Sequence, residues 1–151
     1  MSLKPGDRAP EIRAGAFQLS KYKGKTVVLF FFPKADTPGC TRESCAFRDA
    51  SKKFGKLNAE IVGCSPDKPE AQAKFADKYG LPYTFVPDPE HAVAEAYGVW
   101  KEKKNYGRAY MGIERTTFVI DPAGKIAKIF PKVKVDGHVD KVLESIEAEG
   151  Y

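Results

Sequence analysis

Apolar positions along the chain fall into two patterns. TVVLFFF (residues 26–32) is apolar or β-branched throughout, with Gly24 before it and Pro33 after it, and AEIVGCS (residues 59–65) is nearly so. Runs without a polar face read as central strands covered from both sides. Between them, Pro38 to about Phe54 reads as a helix that ends at Gly55. PEAQAKFADKY (residues 69–79) is a second helix: Pro69 suits a first turn, Gly80 an end, and Ala73, Phe75, Ala76 and Tyr79 supply apolar contacts. Strand, helix, strand, helix predicts a parallel sheet.

Further along, Tyr83–Val86 is a short strand bounded by Pro82 and Pro87, His91–Tyr97 a short helix, and Gly98–Glu114 a long irregular loop. Thr116–Ile120 and Lys125–Phe130 flank the turn sequence DPAG, which makes them an antiparallel pair. His138–Ala148 closes the chain as an amphipathic helix with Val139, Val142, Leu143 and Ile146 on one face. Gly15 permits a hairpin around Ile12–Leu19. With no repeat or linker in view, the expectation is one domain over residues 1–151. Its class is α/β: a thioredoxin-like fold, a central mixed β-sheet flanked by helices, with an N-terminal β-hairpin extension.

Composition narrows the function. At 151 residues the chain buries enough surface to need no staple, and its three cysteines suit a reducing compartment where thiols are kept for chemistry. No apolar run approaches the ~20 residues that span a bilayer. MSLKPGDRAPEI carries neither a secretory signal nor a transit pattern, so the expectation is a cytoplasmic protein with no membrane partner. The net charge of +5 is spread among alternating signs, the pattern of a solvated surface, so no nucleic-acid partner is expected. His91 and His138 match no common zinc spacing, and neither a metal nor a cofactor is expected.

The chemistry concentrates between Thr37 and Cys45. Thr37 is placed to cap the helix with its hydroxyl and Pro38 to open it, so Cys40 falls in the first turn, where free amides and the helix dipole favour an anion such as a thiolate. Arg42 is the nearest cation in sequence. If Thr116–Ile120 runs antiparallel beside Thr26–Phe32, however, Arg115 also stands close to Cys40, with donors fixed for an oxyanion. Cys45 lies five residues on, about 7.5 Å of rise and ~140° of rotation away, so a regular helix keeps the Cα atoms roughly 8 to 9 Å apart. A disulfide needs about 7 Å or less.

These residues resemble a known family. PKADTPGC (residues 33–40) fits the Pro-x-x-x-Thr-x-x-Cys signature of the peroxiredoxins, and CTRESC (residues 40–45) is similar to the Q-type subfamily, the bacterioferritin comigratory proteins. PGDRAP (5–10), YGVW (97–100) and MGIERTTFVID (111–121) extend the resemblance over nearly the whole chain. It implies a thiol peroxidase acting on hydroperoxide substrates. Cys40 would be the nucleophile that becomes a sulfenic acid, Thr37 would orient the peroxide, Arg115 would stabilise thiolate and transition state, Pro33 would shield the site and Glu43 would anchor an arginine. Cys45 would resolve the sulfenic acid as a Cys40–Cys45 disulfide, recycled by thioredoxin or a similar dithiol, in a protein expected to be monomeric. Two positions depart from the pattern: Phe32 stands where many relatives carry Tyr, and Cys64 where an aliphatic residue is usual.

Plainer roles stay open beside these. Cys45 also suits packing on the inner helix face, Thr37 a cap alone, Arg115 a surface ion pair, and Tyr97 and Trp100 a core or pocket wall. Cys64, in a buried strand, is expected to be structural. A general disulfide oxidoreductase normally spaces its cysteines Cys-x-x-Cys, whereas a redox sensor or holdase would use the same oxidation to alter binding.

Overall fold

Six consecutive residues, Thr26–Phe31, are buried, and a strand with no exposed face belongs in the middle of a sheet covered on both sides. The computed structural model describes residues 3–151; Met1 and Ser2, where the reading for targeting signals begins, lie outside the described residues. In chain order the elements are β1 (Arg13–Ala14), β2 (Phe17–Gln18), β3 (Thr26–Phe31), α1 (Pro38–Lys56), β4 (Ala59–Ser65), α2 (Pro69–Tyr79) and β5 (Thr84–Pro87). They continue with α3 (Ala92–Ala96), β6 (Trp100–Asn105), β7 (Arg108–Ile113), β8 (Thr116–Ile120), β9 (Ile126–Phe130) and α4 (His138–Glu149).

The main sheet has the order β5-β4-β3-β8-β9. β3 pairs in parallel with β4 and antiparallel with β8, so the sheet is mixed, with a βαβ half and a hairpin half. Alternation along β3 sends Val28, Phe30 and Phe32 into one cluster with Phe47, Phe54, Phe75 and Val142 from α1, α2 and α4. Val27, Leu29 and Phe31 enter a second cluster, covered by Ile12, Phe17 and Leu19 of the N-terminal region and by Ala94 and Tyr97 around α3. This is the helix-flanked mixed sheet that the element order predicts, with the N-terminal hairpin in place around Gly15. Among the described residues, no helix is long and apolar enough to cross a membrane.

Two expectations need correction. Gly98–Glu114 is not an irregular loop: β6 and β7 form a regular antiparallel hairpin closed by Tyr106 and Gly107, both at positive φ (52° and 76°). Most of its residues are exposed on both faces, so it lacks the apolar alternation by which strands are read; a primed two-residue turn and backbone pairing hold it instead. In α2, Ala73 is exposed and Gln72 takes the inward position, in step with Phe75, Ala76 and Tyr79. Its amide donates to Ser65 Oγ (2.8 Å) and the Val86 carbonyl (2.9 Å), which satisfies it inside the core.

Gly63 sits where β4 meets the aromatic layer. A Cβ there would lie 2.9 Å from the Phe85 ring and 3.0 Å from Phe30. Gly63→Ala should therefore overpack the sheet and lower stability by about 1–3 kcal/mol, read as a shift of the urea midpoint at constant slope. An unchanged midpoint would mean that the rings move aside freely.

Candidate active site

The register of β8 on β3 places the site. Phe31 pairs with Thr116, so Arg115 lies beside the point where the chain leaves the sheet through Phe32 and Pro33 toward α1. Pro33 is half-buried at that exit. Asp36, at φ 61°, turns the chain into the helix and is held by Tyr79 Oη (2.7 Å) and Lys78 Nζ (2.9 Å). Intrahelical bonding begins with the Thr41 amide donating to the Thr37 carbonyl (2.8 Å). The amides of Gly39 and Cys40 therefore belong to the first turn, which has no intrahelical acceptor for them.

Thr37 occupies the position before the helix, but its hydroxyl does not cap it. The short turn curls the side chain back, and Oγ1 donates to the Lys34 carbonyl at 2.7 Å. Its hydrogen is thereby committed, which leaves the oxygen as an acceptor for a substrate O–H. Arg42 is not the partner of Cys40 either. It is exposed and paired with Asp136 at 2.8 Å.

Arg115 is that partner. Its Nη2 donates to Cys40 Sγ at 3.3 Å and its Nη1 to Glu43 Oε1 at 2.6 Å. Cys40 and Glu43 are three residues apart on α1 and therefore share a face, and both are buried. Burial alone would lower the Arg115 pKa, but Glu43 and Cys40 outweigh it and raise it, so the guanidinium stays charged. Glu43 goes the other way. Burial pushes its carboxyl up to about 7 against the pull of Arg115, because this side chain is fully enclosed whereas the guanidinium keeps an edge toward solvent.

Cys45 is rotated away from Cys40 and is partly buried against the helix-side core; all three cysteines are free thiols. Nearby, Tyr83 Oη donates to the Ser44 carbonyl (2.7 Å) and Arg48 to the Tyr79 carbonyl (2.7 Å). Cys64 is buried in β4, and burial, with Asp88 adding to it, pushes its thiol well up, which suits an inert core residue. Tyr97 is buried with its hydroxyl on the Pro10 carbonyl (2.6 Å), and Trp100 is half-buried and stacked on His91. Among the described residues, no group of three or more His, Cys, Asp or Glu side chains is placed to hold a metal ion.

Sequence reasoning missed two neighbours. Lys103, on the β6–β7 hairpin, is half-buried, and its pKa is lowered by burial and then by Arg115. His138, set aside as an isolated histidine, is buried at the start of α4 with Nε2 4.0 Å from Glu43 Oε2. The available signal was its place on the inward stripe with Val142 and Ile146, where a polar residue needs a reason.

Comparisons with known proteins give the family of the chain. The family model described as AhpC/TSA matches residues 5–129. The peroxiredoxin Bcp of Bacillus subtilis is 47% identical over 97% of each chain, and that of Escherichia coli K12 is 40% identical over 93% of this chain and 94% of its own. Among solved structures, Xanthomonas campestris peroxiredoxin Q superposes with a TM-score of 0.89 at 35% identity, covering 97% of this chain and 99% of its own. The chain belongs to the AhpC/TSA family. Within it, the relatives named above are peroxiredoxins of the Bcp or Q type, which are thiol peroxidases.

Two outcomes test the electrostatics and packing of the site. Glu43 binds its proton more tightly when folded, so its contribution to stability is full below about pH 4.5 and lost as pH rises through about 7. His138, lowered from 6.5 to about 4 by burial and then by Lys141 and Arg115, contributes above pH 6.5 and loses that contribution as pH falls toward about 4. Glu43→Gln removes the first slope and keeps the second. The variant's Tm should rise more steeply than the parent's from pH 4.5 to 7, by on the order of 1 kcal/mol or ~2–4 °C in calorimetry; parallel profiles would contradict the assignment. Separately, a Cβ at Gly39 would lie 3.3 Å from Arg115 Nη2, which Glu43 prevents from retreating. Gly39→Ala should hold or raise stability through helix propensity while slowing Cys40 alkylation several-fold. Loss of both together would point to simple misfolding.

Proposed function

We propose that Cys40 is the nucleophile of a thiol peroxidase acting on hydrogen peroxide and organic hydroperoxides. The observation that carries this is the permanent cation of Arg115 donating to Sγ in the first turn of a helix. The thiolate attacks one oxygen of the O–O bond; that oxygen becomes the sulfenic acid, and the other leaves as alkoxide or hydroxide and takes up a proton. Donors already aimed at the site stabilise the developing charge without reorganising. Arg115 holds thiolate and departing oxygen together, Thr37 accepts the substrate's O–H, Pro33 limits water at the exit from β3, and Glu43 anchors the guanidinium. A solved structure of the Xanthomonas campestris bacterioferritin comigratory protein, 34% identical, is described in terms of alkyl peroxide reduction, which supports the organic substrates.

Cys45 then attacks the sulfenic sulfur, forming the Cys40–Cys45 disulfide and releasing water, and a dithiol such as thioredoxin reduces that disulfide by exchange. The two thiols cannot bond within a regular helix, so the first turns of α1 must open. Opening releases the Tyr83 bond to the Ser44 carbonyl, the contacts of Arg115 with Cys40 and Glu43, and the exposed Arg42–Asp136 pair, of which only the last is a weak surface restraint. We read the protein as a cytoplasmic monomer of one domain that works without a metal or other cofactor.

Mass spectrometry after one equivalent of peroxide should find Cys40 linked to Cys45 and Cys64 free, with far-UV circular dichroism showing lost helix in that form. Cys40→Ser should abolish thioredoxin-coupled peroxide consumption. Cys45→Ser should permit one turnover and then stall with thioredoxin. Sustained turnover by Cys40→Ser would refute the reading.

A further inference from the structure

Glu43 uses one oxygen on Arg115; the other, Oε2, is buried and has no hydrogen-bond partner among the described residues. Across the interface between α1 and α4 stands the imidazole of His138, its Nε2 4.0 Å from that oxygen and 2.8 Å from Thr117 Oγ1. The ring is held edge-on by Phe47 and Phe130, with centroids at 6.2 Å and 5.5 Å. Packing and Thr117 thus determine where Nε2 points. At 4.0 Å the contact with Glu43 is electrostatic rather than a hydrogen bond. Both groups are buried there, so little solvent stands between them to screen the contact.

Thr117 of β8 follows Arg115 by two residues, Glu43 follows Cys40 by three on α1, and His138 opens α4. One imidazole therefore joins three elements behind the sulfur. The groups facing Glu43 are Arg115 from the β7–β8 connection, His138 from α4, Cys40 on its own helix and, more remotely, Tyr83 before β5. Of these, His138 is the one set against the unpartnered oxygen.

We propose that His138 is a positioning residue for Cys40: with its proton on Nε2, it holds the Glu43 carboxylate in the orientation that places the Arg115 guanidinium against the sulfur. This rests on Cys40 being the reacting thiol. A neutral ring directs the positive end of its N–H dipole toward Thr117 and Oε2, and it does so without adding a second buried cation beside Arg115.

The test is the rate of Cys40 oxidation by hydrogen peroxide in stopped flow. His138→Phe keeps the ring volume and loses the N–H, and should slow oxidation about fivefold to tenfold; His138→Gln returns an N–H at similar reach and should recover most of it. In a Glu43→Gln background, His138→Phe should add nothing, since the two act through one another. Equal losses in both backgrounds, or no recovery with Gln, would make His138 a packing residue only. Should His138→Phe not fold, nitrogen NMR of the unaltered reduced protein decides: a proton on Nδ1 overturns the proposal and one on Nε2 upholds it. A wild-type Cys40 inert to peroxide would instead defeat the functional reading itself.

Discussion

One guanidinium divided between two partners organises the site. Arg115 reaches Glu43 with one nitrogen and Cys40 with another, from a position that exists only because β8 runs antiparallel against β3. A buried ion pair of this kind contributes little net stability, since desolvation offsets most of the Coulomb attraction. Its value lies in geometry. The planar fork cannot rotate away from the sulfur without abandoning the carboxylate, and a lysine in its place would offer a charge without that constraint.

The same helix must satisfy two states with incompatible distances. In the reduced protein, α1 presents Cys40 and Glu43 on its inner face and turns Cys45 aside, so the sulfurs stay apart. On the reading above, oxidation reverses the preference, and the restraints on the first two turns matter as much as those on the core. They are graded along the helix. Phe47 and Phe54 are fully buried and tie down its later turns with large apolar side chains, whereas the start buries the small or polar Cys40, Glu43 and Ser44 and is held by hydrogen bonds, several of them at the surface. Local opening draws on the less stable end of a structure, and here that end carries the thiols.

Cys40 and Cys64 show how surroundings decide chemistry. Both are about 1% exposed. Cys64 lies within a central strand among apolar side chains, with Asp88 as its charged neighbour, and burial disfavours its thiolate. Cys40 lies at a helix start opposite a permanent cation. Accessibility alone would not have told them apart.

Much of this was legible in the residues. The all-apolar run at Thr26–Phe32, the DPAG turn and the spacing from Thr37 to Cys45 define strands, hairpin and helix start through local chemistry. The antiparallel pairing they imply brings Arg115 toward Cys40. What stayed hidden depends on contacts between distant segments. The β6–β7 hairpin has no apolar face to betray it, Gln72 is inward because Ser65 and Val86 await its amide, and the Thr37 hydroxyl turns back to Lys34 instead of capping. His138 meets Glu43 across 95 residues of chain, a meeting that no periodicity records. Sequence determines which groups are present and which local shape they favour; tertiary packing alone decides which buried atom faces which, because low-dielectric contacts extend only a few ångströms while the chain between them is free to be long.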